Sequence, residues 1–158
     1  MKKIMVMVAI FATALVQQTF AQDTSAPQPS ELLTSYYNIK DALTSDDAKS
    51  AAANAEQFVK TINSISSEVI HESYKEALLK DAGKISDTKD IKDQRQHFST
   101  FSANMFALAK TVKLNSAPVY YQYCPMKKAT WLSSNKTIKN PYFGKAMPTC
   151  GKTTETIE

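Results

Sequence analysis

The sequence predicts a mainly α-helical fold, in which a four-helix antiparallel bundle carries a C-terminal tail folded back on it. Between residues 30 and 112 the chain has one glycine, Gly83, and no proline, and this composition favours long helices. Apolar residues in that stretch recur every three or four positions, as along one face of a helix. After Asn115 the rhythm changes, and residues 118–151 are rich in aromatics and interrupted by proline and glycine. This Cys/Met segment is too short for a core of its own, so we expect it to pack on the helices.

The first two helices are predicted from capping residues and apolar spacing. Ser30 is a good N-cap for the first helix. Thr44 or Ser45 can cap the second, which places Asp46 and Asp47 in its first turn, where carboxylates favour the positive end of the helix dipole. The expected apolar stripes are Leu32, Tyr36, Ile39 and Leu43 in the first helix and Ala51, Ala55, Phe58 and Ile62 in the second.

The third and fourth helices follow the same reasoning. The third is expected to run from about Ser67 to the region of Gly83, which could end the helix or lie inside it. The fourth is expected to start after a cap at Asp87 or Thr88. Four amphipathic helices with short links can hide their apolar stripes only against one another, which predicts the antiparallel bundle. The expected inward positions are Ile70, Tyr74, Ala77, Leu78 and Ala82 in the third helix and Ile91, Phe98, Met105, Leu108 and Val112 in the fourth.

The Cys/Met segment has little helical pattern. Residues 119–123 are β-branched and aromatic, which predicts one short strand. Asn140, Pro141 and Gly144 mark turns. Aromatic residues are dense in the segment, and we expect them to form a small core that docks it on the helices. The aromatic residues assigned to this packing are Tyr121, Tyr123, Trp131, Tyr142 and Phe143.

The start of the chain has the order of a secretory signal peptide. Lys2 and Lys3 precede an apolar run at residues 4–16, and Ala21 ends a short site with small residues. The apolar run is shorter than the roughly 20 residues that cross a membrane, and no later stretch qualifies. We therefore expect a periplasmic or secreted protein with no transmembrane anchor after cleavage. The expected segments are a signal peptide at 1–21, a flexible leader at 22–29 and a single helical domain at 30–158.

Charge and motifs argue against two classes of function. The formal net charge is +4, and it falls to +2 when the two signal-peptide lysines are removed. A small charge spread along the chain is not the footprint of a nucleic-acid-binding protein. The sequence has no glycine-rich phosphate loop, no two-histidine zinc helix and no serine in a nucleophile-elbow context. We therefore expect neither a nucleic-acid partner nor enzymatic activity.

The sulfur-containing residues favour a soft-metal site. Two compact units, Cys124-Pro125-Met126 and Met147-Pro148-Thr149-Cys150, each pair a cysteine with a methionine around a proline that limits backbone freedom. Thiolate and thioether ligands select copper(I), and zinc fits less well because a third cysteine or nearby histidine is missing. The candidate metal ligands are Cys124, Met126, Met147 and Cys150, with His97 as a weak accessory ligand.

A disulfide is the competing interpretation of the same cysteines. Two cysteines in an exported domain commonly pair, and a Cys124–Cys150 bond would stabilise the fold by about 3 to 4 kcal/mol on the chain-entropy model. The methionines would then be flexible core filler. The chain would in that case be an envelope interaction module that binds no metal.

Three stretches of the Cys/Met segment resemble a bacterial domain-of-unknown-function family. They are residues 119–126, 131–133 and 140–151, and the helix that contains Phe98 is also similar. Members occur as small secreted proteins and fused to periplasmic adaptor subunits of copper/silver-type heavy-metal efflux systems. The resemblance implies a copper-linked periplasmic role, with an efflux adaptor or another envelope protein as partner in trans. A related adaptor motif continues with histidine after the methionine, where this chain has Lys127.

Overall fold

The computed structural model describes residues 28–158. The expected signal peptide and residues 22–27 of the expected leader lie outside this range, and Pro29 of that leader already belongs to the first helix. Within the described range the order is α1, α2, α3, α4, β1, β2, a 3-10 turn and β3. Their bounds are α1 Pro29–Thr44, α2 Ala48–Ser64, α3 Glu72–Ser86, α4 Ile91–Thr111, β1 Val119–Cys124, β2 Ala129–Ser133, the 3-10 turn Gly144–Ala146 and β3 Lys152–Ile157.

The predicted starts of α1 and α2 are wrong by a few residues. Pro29 lies in the first turn of α1, where its missing N–H costs nothing, so Ser30 is inside the helix rather than its cap. The α2 cap is Asp47, whose carboxylate accepts a hydrogen bond from the Ser50 N–H at 2.9 Å. Asp46 lies outside α2 with a φ of 61°. Several adjacent residues could cap this helix, and the turn geometry selects the last of them.

The starts of α3 and α4 are also later than predicted. His71, rather than a residue near Ser67, caps α3, and its Nδ1 accepts a hydrogen bond from the Ser73 N–H at 3.3 Å. Gly83 lies inside α3. Asp90, rather than Asp87 or Thr88, caps α4, because its Oδ1 accepts hydrogen bonds from two backbone N–H groups at the start of the helix.

The apolar stripes form the core that the spacing predicted. The predicted inward positions of α1 and α2 are all buried, whereas Tyr74 and Ala77 of α3 and Ile91 and Val112 at the ends of the α4 stripe are only half-buried. Consecutive helices contact one another, α1 with α2, α2 with α3, and α3 with α4. Aromatic rings join three of them, since Phe101 of α4 lies 5.5 Å from Tyr36 and 4.8 Å from Phe58 between ring centroids.

A three-stranded antiparallel sheet follows the helices, with strand order β2-β1-β3. β1 corresponds to the predicted strand, one residue longer, whereas β2 and β3 were not predicted. β2 contacts α4 and α1. Tyr36 joins the two parts of the fold, because its hydroxyl lies 2.6 Å from Ser102 Oγ and accepts a hydrogen bond from the Leu132 N–H at 3.0 Å. The sheet therefore shares a buried core with the helices.

No helix within residues 28–158 is both long enough and apolar enough to cross a membrane.

Candidate metal-binding site

The two cysteines lie side by side at one end of the sheet. Cys124 is the last residue of β1 and is buried, and Cys150 lies two residues before β3 and is partly exposed. Antiparallel pairing of Tyr123 with Lys152 brings the end of β1 against the start of β3. The Cys124 and Cys150 sulfur atoms are consequently 3.6 Å apart and are not bonded to each other.

This sulfur separation suits either of the two chemistries that the sequence predicted. Two sulfurs bound to one metal at about 2.3 Å with tetrahedral angles lie about 3.8 Å apart. A disulfide requires about 2.04 Å, so the sulfurs would have to approach each other by roughly 1.5 Å.

Both methionine-containing turns lie beside Cys150. Met126 is in the four-residue loop between β1 and β2 and is 67% exposed, and Met147 follows the 3-10 turn and is 37% exposed. The Met126 backbone N–H hydrogen-bonds the Cys150 thiol, and the Cys150 N–H donates to the Met147 carbonyl at 3.3 Å. Exposed methionines are unusual as core filler, so burial does not explain these two.

The Cys150 thiol is held in its protonated form. Its hydrogen bond with the Cys124 thiol is the main reason that its pKa is raised, and desolvation adds to the effect. A raised pKa makes Cys150 a poor nucleophile near neutral pH, because the thiolate is the reactive species. A metal ion that binds Cys124 and Cys150 would have to displace their thiol protons, so metal binding would strengthen as the pH rises.

His97 does not join the cysteines. It lies half-buried on α4, and no cluster of three or more histidine, cysteine, aspartate or glutamate side chains suited to a metal occurs within residues 28–158. Any further ligand from this part of the chain would therefore come from another residue type, and Met126 and Met147 are the nearest candidates in sequence.

The aromatic residues assigned to packing divide into two groups. Trp131 and Tyr142 are buried with their rings 6.1 Å apart, and the Tyr142 hydroxyl donates to the Thr130 carbonyl at 2.5 Å. Tyr121 stacks on Phe106 of α4, with 3.6 Å between the ring centroids. Tyr123 and Phe143 are half-buried. Trp131 also lies beside the site, since a Cβ added to Gly151 would approach its Cη2 to 2.8 Å.

Residues 141–151, which we call the Cys150 loop, are held by side chains that were not identified as functional from the sequence. The Arg95 Nε donates to the Pro141 carbonyl at 2.8 Å, and its Nη2 donates to the Leu43 carbonyl at 2.8 Å and to the Asp46 carboxylate. Asp46 also accepts from the Lys145 N–H at 3.3 Å. We call Asp46, Arg95 and the backbone of residues 141–145 the loop clamp. Its sequence signals were the turn residues Pro141 and Gly144, and Gly144 has a φ of 52°.

The Arg95 guanidinium controls the charge in the loop clamp. Its hydrogen bond to Asp46 is the main reason that the pKa of this carboxyl is lowered, and the Lys145 N–H acts in the same direction. The Arg95 side chain is only 13% exposed, whereas Asp46 is 36% exposed. The clamp thus connects the α1–α2 turn, α4 and the loop that carries Cys150.

Comparison with known proteins identifies the helical part of the chain. The family model described as protein of unknown function (DUF3347) matches residues 32–117, more than half of the chain. The matched range covers the helices from Leu32 onward and ends before β1, so both cysteines lie outside it. Neither the curated proteins nor the solved structures gave a match. The chain belongs to the family of proteins of unknown function DUF3347.

Proposed function

We propose that this protein binds copper(I) through Cys124 and Cys150 and serves as a chaperone or buffer linked to metal efflux, without a catalytic activity. The observation that carries the proposal is the 3.6 Å separation of the two sulfur atoms. The separation matches that of two thiolates sharing one metal. Cys124 ends β1, and Cys150 lies 26 residues later, just before β3. The two sulfur atoms therefore meet only when the whole Cys/Met segment is folded.

The available donors favour copper(I) over zinc. Zinc sites are completed by a third cysteine, histidine or carboxylate, and the described residues offer no such cluster around the pair. Met126 and Met147 are exposed in the two turns beside Cys150 and can offer thioethers. Soft thiolate and thioether donors select copper(I). His97 has no place in this set, and we propose a site that does not use it.

The cellular setting is part of the proposal. The amino-terminal residue pattern supports export to the periplasm or beyond. The resemblance of the Cys/Met segment to domains fused to copper/silver-type efflux adaptors supports a partner of that kind, or another envelope protein, met in trans. Exposure of the methionines favours transfer, because a partner can reach a metal at the surface more easily than one in the core.

Copper(I) titration against a chromogenic copper(I) chelator, under reducing conditions, tests the proposal. The wild-type protein is expected to take about one equivalent of copper(I). Cys124→Ser with Cys150→Ser is expected to abolish this binding, and Met126→Leu with Met147→Leu to weaken it. Met105→Leu is the matched control, because it removes a thioether from the α4 core and leaves the turns intact. Unchanged affinity in the double cysteine variant would refute the proposal.

A disulfide-stapled interaction module is the second candidate function. The same sulfur separation favours it, since a small movement of Cys150 would allow the bond to form. Closing this loop would stabilise the fold by about 3 to 4 kcal/mol on the chain-entropy model. The intact mass of protein taken from its native compartment decides between them: a mass that rises by two hydrogens on reduction supports the staple, and free thiols support the metal site.

We also infer that the four helices form an antiparallel bundle with the sheet at its side. Contacts between consecutive helices support this arrangement, and so do their short links. Helices joined by short loops pack as antiparallel neighbours. In this arrangement the α1–α2 turn and the start of α4 meet at one end of the bundle, where the loop clamp lies.

A further inference from the structure

Asn140 is a buried polar residue that precedes the Cys150 loop. Its side chain is fully buried, and a buried amide is stable only if its hydrogen-bonding groups are satisfied. Each of its main polar groups has a backbone partner within residues 142–150. None of these contacts belongs to a helix or strand, so Asn140 holds the loop from within, in addition to the loop clamp.

The Asn140 side chain connects the two ends of the loop. Its Nδ2 donates to the Cys150 carbonyl at 2.6 Å. Its Oδ1 accepts from the Tyr142 N–H at 2.8 Å and from the Phe143 N–H at 3.2 Å. The Asn140 backbone N–H adds a bond to the Pro148 carbonyl at 2.8 Å. The beginning and the end of the loop are therefore held together on one amide group.

We propose that Asn140 is a positioning residue that fixes Cys150 against Cys124. The hydrogen bond from Nδ2 goes to the carbonyl of the cysteine itself, so it sets where the Cys150 backbone lies relative to the end of β1. After Cys150, the pairing of β3 with β1 begins only at Lys152, two residues later. The expected effect on copper(I) affinity rests on the proposed function. The expected effect on the position of Cys150 relative to Cys124 does not.

Two substitutions separate the roles of the Asn140 side chain. Asn140→Asp keeps an oxygen for the Tyr142 and Phe143 N–H groups but sets a carboxylate oxygen against the Cys150 carbonyl, so that two acceptors face each other. Asn140→Ser keeps a hydroxyl that can accept from an N–H two residues on, and it is too short to reach Cys150. Asn135→Asp is the matched control, because the exposed Asn135 side chain accepts from the Thr137 N–H at 2.9 Å in an earlier turn of the same connection and makes no side-chain bond to Cys150.

The thiol pair itself provides a readout that does not depend on metal. In glutathione redox buffers, the two protein thiols are oxidised to the Cys124–Cys150 disulfide while one glutathione disulfide is reduced, and the two thiol hydrogens end on the two glutathione molecules that form. We expect the equilibrium constant for this exchange to fall at least about tenfold in Asn140→Asp and Asn140→Ser, and to change less than about twofold in Asn135→Asp. The free energy of unfolding, measured in parallel, separates a loss of stability from a displaced cysteine.

Copper(I) competition on the same variants completes the test, with an expected loss of about tenfold in affinity for both Asn140 variants. If wild-type protein binds no copper(I) but the exchange constant falls as expected, the proposed function fails and the role of Asn140 stands. If copper(I) binds and both readouts are unchanged in the Asn140 variants, the role of Asn140 is refuted and the proposed function stands. If neither variant folds, as judged by helical circular dichroism, Asn140 serves the fold as a whole, and that result also overturns the inference.

Discussion

Replacing Gly144 with alanine tests the loop clamp. Gly144 has a φ of 52°, a conformation that costs a residue with a Cβ about 1 to 2 kcal/mol. The added Cβ would also overlap the Asp46 Oδ1 and the Arg95 Nη2, so the ion pair would have to open. The pair is partly exposed, and its loss adds about 1 kcal/mol at most. We expect Gly144→Ala to lower the free energy of unfolding by about 1 to 3 kcal/mol.

Trp131 provides the assay for this prediction. It is the only tryptophan in the sequence, and it is a buried residue of β2 beside Tyr142 and Gly151, so its fluorescence reports on the sheet and on the Cys150 loop. Urea unfolding followed by this signal gives the free energy of unfolding, provided that the slope of the transition stays the same. A loosened loop should also change the emission of the folded protein before any urea is added.

Gly83→Ala is the matched control for Gly144→Ala. Gly83 lies inside α3, and a Cβ built there meets no atom within 4 Å. Alanine in a helix interior is favoured over glycine by about 0.5 to 1 kcal/mol, so this variant should be slightly more stable than wild type. A stability of Gly144→Ala within about 0.5 kcal/mol of wild type, or a similar loss in both alanine variants, would contradict the role of the loop clamp.

Three further predictions concern the contacts between the helices, the sheet and the loop. Tyr36→Phe leaves the buried Leu132 N–H without a partner and should cost about 1 to 3 kcal/mol in urea unfolding, whereas a loss below about 0.5 kcal/mol would contradict this role. Asp46→Asn should be less stable than wild type at pH 7. Because the folded pKa of Asp46 lies below its unfolded value of about 4, the difference should vanish as the pH falls through the folded pKa, and a pH-independent difference would contradict the ion pair. Gly151→Ala brings a Cβ to 2.8 Å from Trp131 and 3.0 Å from the Tyr123 carbonyl, so it should shift Trp131 emission, and an unchanged spectrum would contradict this contact.

The helical part of the fold was predictable because its information is local. A repeat of three or four residues specifies a buried face without knowledge of the partner, and the buried residues of α1 and α2 follow it. The helix starts were less predictable. Thr44 and Ser45 were the expected caps of α2, whereas Asp47 caps the helix and Asp46 bonds Arg95, 49 residues later in the chain.

The sheet was only partly predictable because two of its strands lack a strong local pattern. β3, with the sequence KTTETI, is mostly exposed, and its strand state depends on pairing with β1. β2 is buried through its contact with α4 rather than through alternation along its own sequence. Strand assignment of this kind depends on tertiary context more than helix assignment does.

The candidate site combines a local signal with a long-range one. The two Cys/Met units are visible in sequence, and the fold brings their two cysteine sulfur atoms to 3.6 Å from each other. Asn140 looked like a turn residue, and its hydrogen bond to the Cys150 carbonyl could not be deduced from that role. Arg95 was assigned no role from the sequence, because its hydrogen bonds to the Pro141 and Leu43 carbonyls are long-range contacts.

The position of the cysteines outside the family match has a physical consequence. The match covers the helices, while the thiol pair lies on the sheet and its loop. The two parts are nevertheless one structure, because Tyr36 bonds the sheet through Leu132 and Arg95 bonds the loop through Pro141. Both contacts are made by buried or nearly buried side chains of the helices, where hydrogen bonds are costly to leave unmade. A helix variant far from the sulfurs should therefore change the thiol pair whenever it moves α1 or α4, and helices that unfold should take the site with them.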